Sequence, residues 1–222
     1  MTTTASSAVP TGELPALPPR LSFLDERAKA RAVAAVKAFE SKTSAELVIT
    51  VKKRVRAYPE SHLLCGSLLA FAALLFLLFY PMDFATHMMP VDVLVAFALG
   101  YGLSTLLPPL LRLAVPAKKR RASVEGAAKA AFFDLGVSRT TGRTGVLVYL
   151  SVLEGMVAVV ADSGVTPEAR KAAVDARAAL ESAFVRLDVS SFASTLEALG
   201  AAFAPTMARA ADDVNELPDE VV

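Results

Sequence analysis

LLCGSLLAFAALLFLLFY, residues 63–80, is the stretch on which the reading of the whole chain turns. Its 18 positions carry no charge. At about 1.5 Å of rise per residue, a helix of that length covers about 27 Å, close to the hydrocarbon core of a bilayer. A second uncharged run, residues 93–111, follows, with Pro108-Pro109 near its end, where a helix must kink or stop. Soluble helices seldom lack a polar face over such lengths, so two buried core helices are the weaker explanation. The pair predicts a transmembrane hairpin over residues 62–116.

The flanking charges orient it. Lys52, Lys53, Arg54 and Arg56 precede the first run, and Arg112, Lys118, Lys119, Arg120 and Arg121 follow the second. The linking residues 81–92 contain Asp83 and Asp92 but no Lys or Arg. The positive-inside rule puts both termini in the cytoplasm and the link outside. The same cations are candidate contacts for anionic head groups, although topology alone accounts for them. Gly66 and Ala70, and Ala96, Gly100 and Ser104, recur every fourth residue, which lets two helices approach closely. Neither span carries an ionisable group at mid-bilayer, which argues against a proton or ion path, and their unbroken apolarity argues against a pore of oligomerised hairpins.

The whole composition agrees. The chain has 222 residues, 54% of them hydrophobic and 20% charged, with a mean hydropathy of +0.48. That excludes a disordered chain and fits one domain with attachments, or two small ones. A net charge of +1 gives no reason to expect nucleic acid as a partner. Cys65 is the only cysteine and His62 and His87 the only histidines, so an intrachain disulfide is impossible and a Cys/His zinc cage nearly so. Residues 1–20 read as a disordered tail without the features of a secretory signal, and residues 208–222 as an acidic tail.

Outward from the hairpin, two half-domains appear, residues 21–56 and 121–207. A helix is expected near Ser22, with Ser22 to Asp25 resembling a capping box and Leu24, Ala28, Ala32, Ala35 and Phe39 on one face. Leu47, Ile49 and Val51 alternate with Glu46, Val48 and Thr50, a strand pattern. After the hairpin a helix is expected over residues 123–135, stopped by Gly136. Residues 146–152 are apolar enough for a central strand, Leu153-Glu154-Gly155 turn the chain, and residues 156–161 return. Thr166-Pro167 starts a further helix, and Phe192, Leu196, Leu199 and Phe203 line a last one. Neither half covers its own sheet face. The expected fold is an α/β sandwich with a mixed sheet, into which the hairpin is inserted between the first strand and the crossover helix.

The order of elements resembles the TPM-domain family. The matching pieces are Thr43-Ser44-Ala45-Glu46 leading into the first strand, Ala131-Phe132-Phe133-Asp134-Leu135-Gly136, Arg143-Thr144-Gly145-Val146-Leu147, and Val160-Ala161-Asp162-Ser163-Gly164. Thr144 stands where many members have Asn. With spans and no signal peptide, the chain is similar to the bacterial membrane-bound subgroup, often found beside LemA-type membrane proteins. The resemblance implies a location in the bacterial inner membrane and an accessory role toward another membrane protein or an envelope complex. It also implies, as the alternative, a weak phosphatase assisted by a divalent ion.

No catalytic constellation stands out: there is no G-x-S-x-G and no P-loop, and both histidines lie in or beyond the span flanks. The candidate metal ligands are Glu46, Asp134 and Asp162, at strand and helix ends, where Ca²⁺ or Mg²⁺ would find oxygen donors. Arg143 and Thr144, between Gly142 and Gly145, are candidate anion-binding groups. Against these stand plain structural roles: Asp162 as a turn residue, Asp134 paired with Arg139, and Glu46 exposed on its strand. Membrane lipid is the expected surrounding, with a homo-oligomer as an open arrangement.

Overall fold

The computed structural model describes residues 25–81, 85–107, 112, 114–209 and 216–217. The expected tails, the capping box at Ser22 and Pro108-Pro109 lie wholly or largely outside those residues. Helix α1 (Glu26–Glu40) leads into strand β1 (Leu47–Lys52). The chain then forms two long apolar helices, α2 (Pro59–Phe79) and α3 (Met89–Leu106), which pack on each other. It continues through α4 (Ala117–Asp134), a 3₁₀ turn (Val137–Arg139), β2 (Val146–Ser151), β3 (Met156–Ala161), α5 (Pro167–Arg186) and α6 (Val189–Phe203).

The three strands lie in the order β1-β2-β3. β1 and β2 are parallel, with Leu47 opposite Val146 and Lys52 opposite Ser151. β2 and β3 are antiparallel, with Ser151 opposite Met156. Every residue of the central strand is buried, from Val146 to Ser151. Strand alternation divides the core in two. Leu47, Ile49, Val146, Val148, Leu150 and Val157 join α1, α5 and α6 on one face. Val48, Leu147, Tyr149 and Ala158 meet Val124, Ala128 and Phe132 of α4 on the other.

The local signals hold at most ends. The Thr166 hydroxyl accepts from the Ala169 amide to cap α5, and Gly136 adopts φ 71° after α4. All four aromatic and leucine positions expected on α6 are buried. α4 departs from expectation: it starts at Ala117, not near Ser123, so Lys118, Lys119 and Arg120 lie in its first turn, with Arg121 just after it. Cations at a helix N-terminus oppose its dipole. They are tolerated because Arg120 and Arg121 reach backbone and carboxylate acceptors elsewhere in the fold.

Helices α2 and α3 are long and apolar enough to cross a membrane, and only 11% of the most apolar window of each is buried. That low coverage disagrees with core helices of a soluble protein, which are mostly buried. Gly66 and Gly100 meet where the helices cross: a Cβ on Gly100 would sit 2.8 Å from the Cys65 carbonyl and 3.0 Å from the Gly66 Cα. The small-residue spacing thus sets the closest approach of the hairpin.

Candidate functional site

β1 and β2 run the same way, so the α/β domain has two distinct ends. At one end lie the starts of β1 and β2 and the finish of β3, with Glu46, Gly145 and Asp162 side by side. The Val146 amide donates to the Glu46 carbonyl, and the Asp162 amide to the Gly145 carbonyl. At the other end lie Lys52, Lys53 and the β2–β3 turn, directly beside the hairpin.

The first end holds the acids expected from sequence. Glu46 is buried rather than exposed, and its Oε1 accepts from the Glu216 amide at 3.3 Å. Asp162 acts as a turn residue, its Oδ1 accepting from the Ser163 amide at 2.6 Å. Its Oδ2 is buried without a hydrogen-bond partner. Asp134 ends α4 exposed and forms no ion pair with Arg139 among the described residues. Among the described residues, no three His, Cys, Asp or Glu side chains group so as to hold a metal ion. Arg143 takes φ 50° in a tight loop, where a Cβ on Gly164 would collide with the Gly142 carbonyl at 2.1 Å. The loop amides turn inward: Arg143 N–H donates to the Thr140 carbonyl and Thr144 N–H to the Thr140 hydroxyl. Those two amides offer nothing to an anion; the exposed Arg143 guanidinium still could.

The second end carries the chemistry that sequence reasoning missed. Glu154, in the β2–β3 turn, is 2% exposed. Its carboxylate accepts from the Tyr58 hydroxyl at 2.9 Å, from the Val55 amide at 3.3 Å, and from the Ser151 hydroxyl. A buried carboxylate is tolerable only with such donors. Burial, then the Glu154 carboxylate, push the Tyr58 hydroxyl up to about 12. Around this joint the basic cluster is put to structural use. Arg112 donates to the carbonyls of Leu153 and Val152, at 2.9 and 3.1 Å, and Arg120 to that of Glu154 at 3.0 Å. Arg56 and Lys119 both pair with Glu60. Gly155, at φ 64°, is the turn signal visible in sequence; the burial of Glu154 has none.

Arg121 has a different task. It forms a two-pronged pair with Glu181 of α5, at 2.6 and 2.7 Å. The same two side chains take the outward-facing groups of the edge strand: Val157 N–H donates to Glu181, and Arg121 donates to the Val157 carbonyl, each at 3.0 Å. An edge strand left bare would recruit another chain.

Comparison with known proteins bears on the fold. No protein-family model matches the chain, and no curated protein does. The fold has a solved counterpart. The NMR structure of the BA42 protein from the psychrophilic bacterium Bizionia argentinensis matches with a TM-score of 0.54 and 17% sequence identity, covering 90% of this chain and 94% of that one. At that identity the likeness concerns architecture alone.

Proposed function

We propose that the chain is a two-span membrane protein of the bacterial inner membrane, with a cytoplasmic TPM-like domain that acts as an accessory to another membrane protein or envelope complex. The supporting observation is the joint at Glu154. A hairpin serving only as a tether could hang from a flexible linker. Here Tyr58, Arg112 and Arg120 fasten both of its ends to one turn of the sheet. A domain held rigidly against the bilayer suits the alignment of a surface toward a neighbour in the same membrane. The basic flanks support the cytoplasmic orientation. Cross-linking in native membranes followed by purification tests the role: the expected product is one reproducible membrane-protein partner, and recovery of the chain alone defeats it. A tag in residues 81–92, labelled by an impermeant reagent on spheroplasts, tests the orientation. Labelling of the termini instead reverses it.

The phosphatase reading keeps one supporting observation, the buried Asp162 Oδ2 without a hydrogen-bond partner, at the end of the sheet that also carries Glu46. If Mg²⁺ or Ca²⁺ binds there, the Asp162 and Glu46 carboxylates are the oxygen donors it would use. Hydrolysis of a phosphate monoester that chelator leaves unchanged, or that survives Asp162→Ala, ends this reading.

A further inference from the structure

A cavity of about 370 Å³ lies where the hairpin meets the α/β domain. Its walls include Lys53, Arg54 and Arg56 from the segment after β1, His62 from α2, and Ser104 and Thr105 from α3. Among the described residues no acidic side chain lines it. Arg56 is compensated by Glu60, but among the described residues neither Lys53 nor Arg54 forms an ion pair. The cavity therefore holds two uncompensated cations. Its polar groups are also fixed in place. Ser104 donates its hydroxyl proton to the Tyr101 carbonyl at 2.7 Å. The 2.8 Å contact between Ser104 and His62 Nδ1 must then be donated by the imidazole, which leaves Nε2 as the ring atom not engaged by Ser104. The carboxyl ends of the parallel strands, where α/β sheets most often receive ligands, also face this side.

A second observation selects the ligand. On α3, Leu94, Ala98, Tyr101 and Thr105 follow the spacing i, i+4, i+7, i+11 and so share one face. Thr105 lines the cavity, while Leu94 is 68% exposed, Ala98 is exposed and Tyr101 is 38% exposed. An uncovered apolar strip about 16 Å long thus descends from the cationic cavity into the region of the spans. Free phosphate would use the cavity alone. A molecule with a phosphate at one end and an acyl chain at the other matches both features.

We infer that this cavity binds the phosphate of an anionic phospholipid, with Lys53 and Arg54 as its charge partners and an acyl chain lying along Leu94, Ala98 and Tyr101. The inference rests on the membrane reading above. It adds that the domain senses which lipid surrounds it, through a site distinct from the diffuse attraction of a basic surface.

The test uses the full chain reconstituted in phosphatidylcholine, with and without phosphatidylglycerol, then released into detergent for native mass spectrometry. Wild type is expected to retain phosphatidylglycerol selectively. The Lys53→Gln/Arg54→Gln double variant is expected to lose roughly thirtyfold in that affinity. The control is Lys52→Gln/Lys118→Gln, which removes the same charge from the same flanks outside the cavity and should keep the selectivity. Equal retention by the two double variants overturns the site, because only diffuse charge is then at work. In a parallel arm, inorganic phosphate is added to protein in phosphatidylcholine alone. Thermal stabilisation of wild type but not of the cavity variant, without lipid selectivity, overturns the lipid as the source of the anion. Resistance to alkaline carbonate extraction is read separately: protein that washes off the membrane defeats the membrane reading, whereas protein that stays but shows no lipid selectivity defeats only this site.

Discussion

The Tyr58 hydroxyl donates to the Glu154 carboxylate at 2.9 Å, joining residues 96 positions apart in the chain. Tyr58 is the residue before α2, and Glu154 sits in the turn between β2 and β3. The bond therefore ties the entrance of the hairpin to the sheet it interrupts.

Replacing Tyr58 by Phe removes one of the three donors that hold the buried carboxylate. The expected cost is about 1–3 kcal/mol, read as a lower unfolding midpoint in detergent. The pH profile gives a second signature. Because burial and Glu154 raise the folded-state pKa from 10.0 to about 12, the stabilisation is complete below pH 10 and is lost as pH climbs from 10 toward 12. Over that window wild type should lose on the order of 2–3 kcal/mol that Tyr58→Phe does not lose. Parallel profiles for the two proteins would remove the joint as the cause.

The Arg121–Glu181 pair responds at the opposite end of the pH scale. Burial acts to raise the Glu181 pKa, but the bonds from Arg121 and the Val157 amide, with the charges of Arg121 and Arg177, outweigh it and hold the value below 4.5. A depressed carboxylate pKa means stability that is present above pH 4.5 and drains away as pH falls below it. Glu181→Gln should flatten that acid-side loss and cost roughly 1.5–3 kcal/mol near neutrality. Glu181→Ala, which leaves the Val157 N–H without that acceptor, is also expected to form larger assemblies on standing, detectable by light scattering. Unchanged solubility in Glu181→Ala would show that the edge is guarded by something else.

Two glycines in one helix should behave oppositely. Gly100→Ala places a methyl group against backbone atoms of α2 at 2.8–3.0 Å, and neither neighbour can rotate away. Overpacking of that kind costs about 1–3 kcal/mol and loosens the hairpin. Gly102 meets nothing within 4 Å of an added Cβ, so Gly102→Ala should be neutral or gain up to about 1 kcal/mol from helix propensity. Thermal denaturation of the two variants side by side decides it; equal effects would mean the crossing lies elsewhere.

Thr166→Ala should lower stability by about 0.5–2 kcal/mol, since the Ala169 amide loses its acceptor at the start of α5. Thr166→Ser should restore most of it. A variant as stable as wild type would leave Pro167 as the whole start signal.

Much of the fold was legible because its signals are short-range. The apolar run of β2, the spacing of Phe192 to Phe203 and the Thr166-Pro167 start each act within one or two turns. The interruption of the sheet was legible too, since neither half could cover its strands alone. The joint was not. Glu154 reads as an ordinary polar turn residue, and only Tyr58, Val55 and the arginines, brought in from distant segments, make it a buried centre. The same long-range acceptors let α4 begin within a run of cations whose local electrostatics disfavour a helix. For the acids, residue type alone could not say which end of the sheet they occupy. The strand register gathers Glu46 and Asp162 at the amino ends of the parallel pair, away from the hairpin.

The register of β1 on β2 also dictates an order of events during synthesis. Leu47 must wait for Val146, about 100 residues later, before it has a neighbour. At roughly 5–20 residues per second the ribosome needs on the order of ten seconds to deliver it. Both apolar helices, α2 and α3, emerge within that interval. The apolar helix pair is therefore complete before the sheet is, and a β1 strand with no mate is the species most at risk of premature aggregation.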